Sequence, residues 1–103
     1  MKARYAAYHA RLGAKRAAAG DLASAQAEFA RAEALNPGDA FVGVLLFEIY
    51  RDFDLYRDRW EAMLRDALAD HERNVDPAID RYYPVTRAEI ERLLEEARGP
   101  TSG

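Results

Sequence analysis

The sequence predicts an all-α chain of about five helices, paired as antiparallel helix–turn–helix units and closed by a C-terminal capping helix. Three observations predict it. Alanine and arginine abound, and the β-branched, Gly-punctuated stretches that strands need are missing. Apolar residues recur at three- and four-residue spacings along most of the chain. The breaks between these stretches carry helix-stopping and helix-starting residues: Gly20-Asp21, Asn36-Pro37-Gly38-Asp39, Asp76-Pro77, Pro84 to Thr86, and Gly99-Pro100.

The 103 residues suffice for one domain with one hydrophobic core, expected over residues 1–99. Half are hydrophobic and 32% are charged, an ordinary globular balance. The net charge of −3 (15 − 18) lacks the basic footprint of a nucleic-acid binder. Without cysteine there is no disulfide framework and no thiolate zinc site, which suits a cytoplasmic location. The basic N-terminus has no apolar core of the kind a signal peptide carries. The longest strongly apolar run, Ala40 to Phe47, is far short of the roughly 20 residues of a membrane span.

Taken in order, residues 3–19 read as a helix with Tyr5, Tyr8 and Leu12 on one face. Gly20 fits a left-handed position after the helix, and Asp21 an N-cap for the next. In that second helix Leu22, Ala25, Phe29, Ala32 and Leu35 form the apolar stripe. Asn36-Pro37 ends it, and Asp39 caps residues 40–52, which are apolar on nearly all sides and so read as the central helix. Residues 54–72 read as a fourth helix with Trp60, Met63, Leu64, Ala67 and Leu68 inward. Asp76-Pro77 predicts a short helix over 77–82. Thr86 and Glu89 fit a capping box, with Val85 and Ile90 as its hydrophobic staple. The last helix, 87–98, carries Ile90, Leu93, Leu94 and Ala97 on one face, and the tail 100–103 is expected to fray.

Leu12-Gly13, Ala25, Phe29, Ala32 and Pro37 stand at the spacings of the tetratricopeptide repeat, with Gly20-Asp21 at that family's turn. Residues 6–39 therefore resemble one repeat, with His9 and Arg16 in place of the usual Trp and Tyr. One 34-residue period onward, Leu12 maps to Leu46 and Arg16 to Tyr50. Phe29 maps to Met63, while Gly13, Ala25, Ala32 and Pro37 map to Phe47, Arg59, Asp66 and His71. Residues 40–73 thus resemble a degenerate second repeat, followed by a connector over 74–86 and the capping helix.

The resemblance implies a concave binding groove along the first helix of each unit: Ala7, Ala10, Ala14 and Ala17, then Phe41, Val44, Leu45, Glu48 and Arg51. A mostly alanine and aliphatic floor suits an apolar or amphipathic helix of a partner rather than a peptide carboxylate. Two repeats leave an open stack end, so Ile90, Leu93 and Leu94 are expected either to cap it or to meet a second copy of the chain. Tyr82 and Tyr83 are adjacent, so one of them is expected to be exposed and able to mark an interface.

Catalytic and metal-binding readings are weak. The two histidines, His9 and His71, are far apart, and His71 is expected to serve the end of its helix. The carboxylates between Asp52 and Asp80 alternate with arginines, as on a solvated face. No phosphate loop or nucleophile elbow occurs, and no cofactor is implied. The expected function is a non-enzymatic protein–protein interaction module, an adaptor or scaffold. A structural homo-oligomer built through helix 40–52 and the last helix is the alternative, and a small enzyme or regulatory subunit the third reading.

Overall fold

The computed structural model describes residues 2–35 and 39–99, side chains from Arg4 onward. The expected break at residues 36–38 and the expected frayed tail at 100–103 lie outside them. The described chain is all-α: α1 (Lys2–Ala18), α2 (Leu22–Leu35), α3 (Ala40–Asp52), α4 (Trp60–Asn74) and α5 (Arg87–Arg98), with 3-10 segments at Arg57–Arg59 and Pro77–Tyr82.

The helix ends are set by local chemistry. Asp21 accepts from Ser24 N at 3.2 Å, Asp39 from Val42 N at 3.0 Å, Asp76 from Ala78 N at 2.9 Å and Thr86 from Glu89 N at 3.2 Å. Each satisfies an amide that has no partner within its helix. At the end of α1, Gly20 takes φ +85°, Asp21 N donates to Arg16 O, and Gly20 N donates to Ala17 O. This is a Schellman ending. The end of α3 repeats it: Asp54 takes φ +55°, Leu55 N donates to Tyr50 O, and Asp54 N donates to Arg51 O.

Within the pairs α1–α2, α3–α4 and α4–α5 the helices are antiparallel, as their cross-contacts require. His9 meets Glu28 while Gly13 faces Ala25 and Phe29. Gly43 faces Ala67 while Phe47 meets Trp60 edge to face at 5.7 Å. Arg87 pairs with Glu72, and Arg98 with Glu61. α1 also packs on α3, and α5 closes against α4, giving a slab of principal extents 42 × 42 × 18 Å. One core runs through it, and its fully buried large side chains include Tyr50, Phe29, Phe47, Leu64, Ile90 and Leu93.

Three expectations are corrected. Tyr5 and Tyr8 are exposed, at 55% and 58%, and α1 instead buries Ala6, Ala7, Ala10 and Gly13. The reason is steric: a Cβ on Gly13 would stand 2.5 Å from the Phe29 ring, so α1 approaches α2 too closely for tyrosines to lie between. Second, α4 begins at Trp60 rather than at residue 54. Asp54 and Tyr56 both have left-handed backbones (φ +55°), which no helix tolerates, and Trp60 Nε1 donates to Leu55 O at 2.7 Å to hold the turn.

Third, the buried residues of α2 and α4 do not follow a fixed 34-residue offset. α2 buries Ala25, Phe29 and Ala32, and α4 buries Trp60, Leu64 and Ala67. These sets are 35 residues apart (60 − 25, 64 − 29, 67 − 32), whereas the left-handed residues Gly20 and Asp54 are 34 apart (54 − 20). One extra residue in the 55–59 turn shifts the frame. Met63, Arg59 and Asp66 are therefore not the counterparts of Phe29, Ala25 and Ala32.

Candidate functional site

The residues expected to line a groove fall into two groups. Ala7, Ala10 and Val44 are buried, at 5%, 0% and 3% exposure, so the chain itself covers that part of the alanine floor. Ala14, Ala17, Leu45, Glu48 and Arg51 are half-buried, and Phe41 is exposed at 38%. Phe41, Leu45 and Glu48 stand at i, i+4 and i+7 and form a partly open line along the central helix. Arg51 closes one end of it by donating to both Glu96 oxygens of α5, at 3.0 and 3.1 Å.

The other end of the line opens into a cleft of about 330 Å³ bounded by Asp39, Phe41, Asp70, Asn74, Tyr83 and Val85. Its polar wall is already engaged. Asp70 accepts from Ala40 N at 3.0 Å and from Asn74 Nδ2 at 2.9 Å. Its apolar wall, Phe41 with Tyr83 (40% exposed), is open. The groove line and the exposed tyrosine thus meet, a junction the sequence could not reveal because the two residues are 42 positions apart (83 − 41).

Tyr82 and Tyr83 are both exposed, where only one was expected to be. Tyr82 stacks under the Arg81 guanidinium at 4.9 Å. Ile90, Leu93 and Leu94 are buried, at 0%, 1% and 7%, within this single chain. The face offered as a cap or a contact with a second copy is therefore used as the cap.

His71 was expected to serve the carbonyls at the end of its helix. It is buried instead, and its Nε2 hydrogen-bonds Asp80 of the 3-10 segment. Asp80 also accepts from Arg87 N at 3.0 Å. The His71 hydrogen bond and then the Arg87 amide hold the Asp80 carboxyl below the usual carboxylate range. A smaller cavity of about 190 Å³ lies beside this pair, lined by Glu72, Val75, Pro77 and Arg87 as well. A His–Asp pair can polarise a nucleophile, but among the described residues neither cavity's lining includes a Ser, Thr or Cys to receive that help. The pair acts as a latch tying the connector and the start of α5 to α4.

His9 Nδ1 hydrogen-bonds Glu28 at 2.7 Å and joins α1 to α2. No group of three or more His, Cys, Asp or Glu among the described residues is placed to hold a metal ion, and no described helix is long and apolar enough to cross a membrane. No protein-family model, curated protein or solved structure matches the chain.

Proposed function

We propose that the chain is a tetratricopeptide-like interaction module of two helix-pair units and a cap, over residues 1–99, that binds an apolar or amphipathic helix without catalysing a reaction. The observation that carries this reading is the half-open line Phe41, Leu45 and Glu48. It lies on the central helix, where a folded chain has most reason to hide apolar surface, yet it remains partly exposed. The repeated Schellman endings at Gly20 and Asp54, and the recurrence of Ala32 as Ala67, support the repeat assignment. The half-buried alanines 14 and 17 leave room for a helix to approach closely. Burial of Ile90, Leu93 and Leu94 weighs against a homo-oligomer assembled through α5.

The test is a selection of amphipathic helical peptides on the immobilised chain, followed by Ala14→Arg and Leu45→Arg. Both positions are only half-buried, so circular dichroism is expected to stay helical while selected binders are lost. Binders that tolerate both variants would sink this reading.

A further inference from the structure

The outward face of α1 is a second, unpartnered surface, and the molecule contains its own template for what fits there. α3 presents Val42, Leu46 and Tyr50 at i, i+4 and i+8. This stripe is buried, at 1%, 3% and 0%, and ends on α2, where Phe29 meets the Tyr50 ring at 5.1 Å and Glu33 accepts the Tyr50 hydroxyl. α1 and α3 end in the same Schellman geometry 34 residues apart (54 − 20), so the stripe's counterparts on α1 are Tyr8, Leu12 and Arg16. Among the described residues these are left largely open: Tyr8 and Arg16 are exposed, Leu12 is half-buried, and Tyr5 extends the line at 55% exposure. α1 is thus built like a helix that takes another pair's second helix, but no described helix stands there.

Charge selects the occupant. Residues 2–18 contain Lys2, Arg4, Arg11, Lys15 and Arg16 and no Asp or Glu. Among the described residues none of Arg4, Arg11, Lys15 and Arg16 has a carboxylate in ion-pair range, although Arg16 pulls weakly on Asp21. Elsewhere Arg51, Arg57, Arg59, Arg65, Arg73, Arg87 and Arg98 are paired, and the other described arginines without an ion pair, Arg31, Arg81 and Arg92, are scattered over three elements rather than gathered on one face. A second copy fits poorly. Two α1 faces would set like charges together, and the equivalent helix at the far end, α4, is already capped by α5.

We infer that the Tyr5/Tyr8/Leu12 face of α1, with Arg4, Arg11 and Lys15 around it, docks an acidic amphipathic helix of another protein, meeting it as Phe29 and Glu33 of α2 meet Tyr50 of α3. This rests on the helix-pair repeat reading but uses a different surface from the groove. The probe is a fluorescein-labelled peptide of residues 21–35 carrying Arg31→Glu, which keeps Phe29 and Glu33 and is acidic. Titrated with the full chain at low salt, it is expected to bind saturably. The double variant Arg11→Glu/Lys15→Glu and the single variant Tyr8→Glu should each weaken it at least tenfold, as should 0.5 M salt, with helicity unchanged; Leu45→Arg should not. Loss with Leu45→Arg alone would leave the groove reading standing and overturn this one. Absence of peptide binding would also overturn it, as would Tyr8-dependent binding only to vesicles containing phosphatidylserine.

Discussion

Two glycines show how much one missing carbon decides. A Cβ on Gly13 would stand 2.5 and 2.6 Å from carbons of the fully buried Phe29 ring, and 3.2 Å from Ala25 O. At Gly43 the nearest atom would be the Ala67 Cβ, at 3.3 Å. Alanine in a helix gains about 1 kcal/mol over glycine, and overpacking costs about 1–3 kcal/mol. Gly13→Ala is therefore expected to destabilise by about 1–2 kcal/mol and Gly43→Ala by less than about 0.5, in urea unfolding. Equal effects would contradict the packing. Asp80 governs a pH effect. Its folded carboxyl titrates below its unfolded value of about 3.9, so its contribution is present above that value and lost as pH falls through the folded one. Asp80→Asn should lower the melting temperature at pH 7, and the gap from the parent chain should close as the pH drops below about 4. A gap independent of pH would assign Asp80 no ionic role. His71–Asp80 was not legible in the sequence, because nothing in the 71–80 spacing distinguishes a latch from two surface residues.

At the scale of the element, the helices were legible because their stops are local chemistry. Asp21, Asp39, Asp76 and Thr86 cap where their side chains predict, and α2, α3 and α5 begin where expected. The start of α4 was not, because its turn uses left-handed backbone at Asp54 and Tyr56 with no glycine to announce it. The one-residue shift of the second unit followed from that, and so did the mistaken pairing of Phe29 with Met63. Likewise the spacing of Tyr5, Tyr8 and Leu12 on one face of α1 did not reveal which face is buried, whereas the close α1–α2 approach at Gly13 favours the small residues. Asp54 occupies the position that Gly20 holds in the first unit, and its exposed pair with Arg57 at 2.7 Å adds little. Asp54→Gly is expected to stabilise by about 0.5 kcal/mol, measured by the urea midpoint. Destabilisation would show that the side chain matters more than the backbone strain.

For the whole molecule, the closing role of α5 was legible from its stripe, while the state of the groove was not. Ala7, Ala10 and Val44 read as open floor but are enclosed by the rest of the chain. Burying Ile90, Leu93 and Leu94 stabilises by roughly 1.5–3 kcal/mol each. Leu93→Ala should cost about 2–4 kcal/mol in guanidinium unfolding and lower the cooperativity of the transition. A loss under about 1 kcal/mol would mean α5 is not the cap.

The packing of most helices on a neighbour in the chain has a consequence for how the protein assembles. α1 with α2, α3 with α4, and α4 with α5 are hairpin contacts, and only α1 with α3 among the main pairings skips an element. Little loop entropy opposes such contacts, so folding can start in any hairpin and spread outward in microseconds to milliseconds. The last helix to be held will be the one covered on the fewest sides. That is α5, whose one main pairing is with α4, so backbone amide exchange should be fastest there and slowest in α3, grading the chain from a yielding end to a fixed centre.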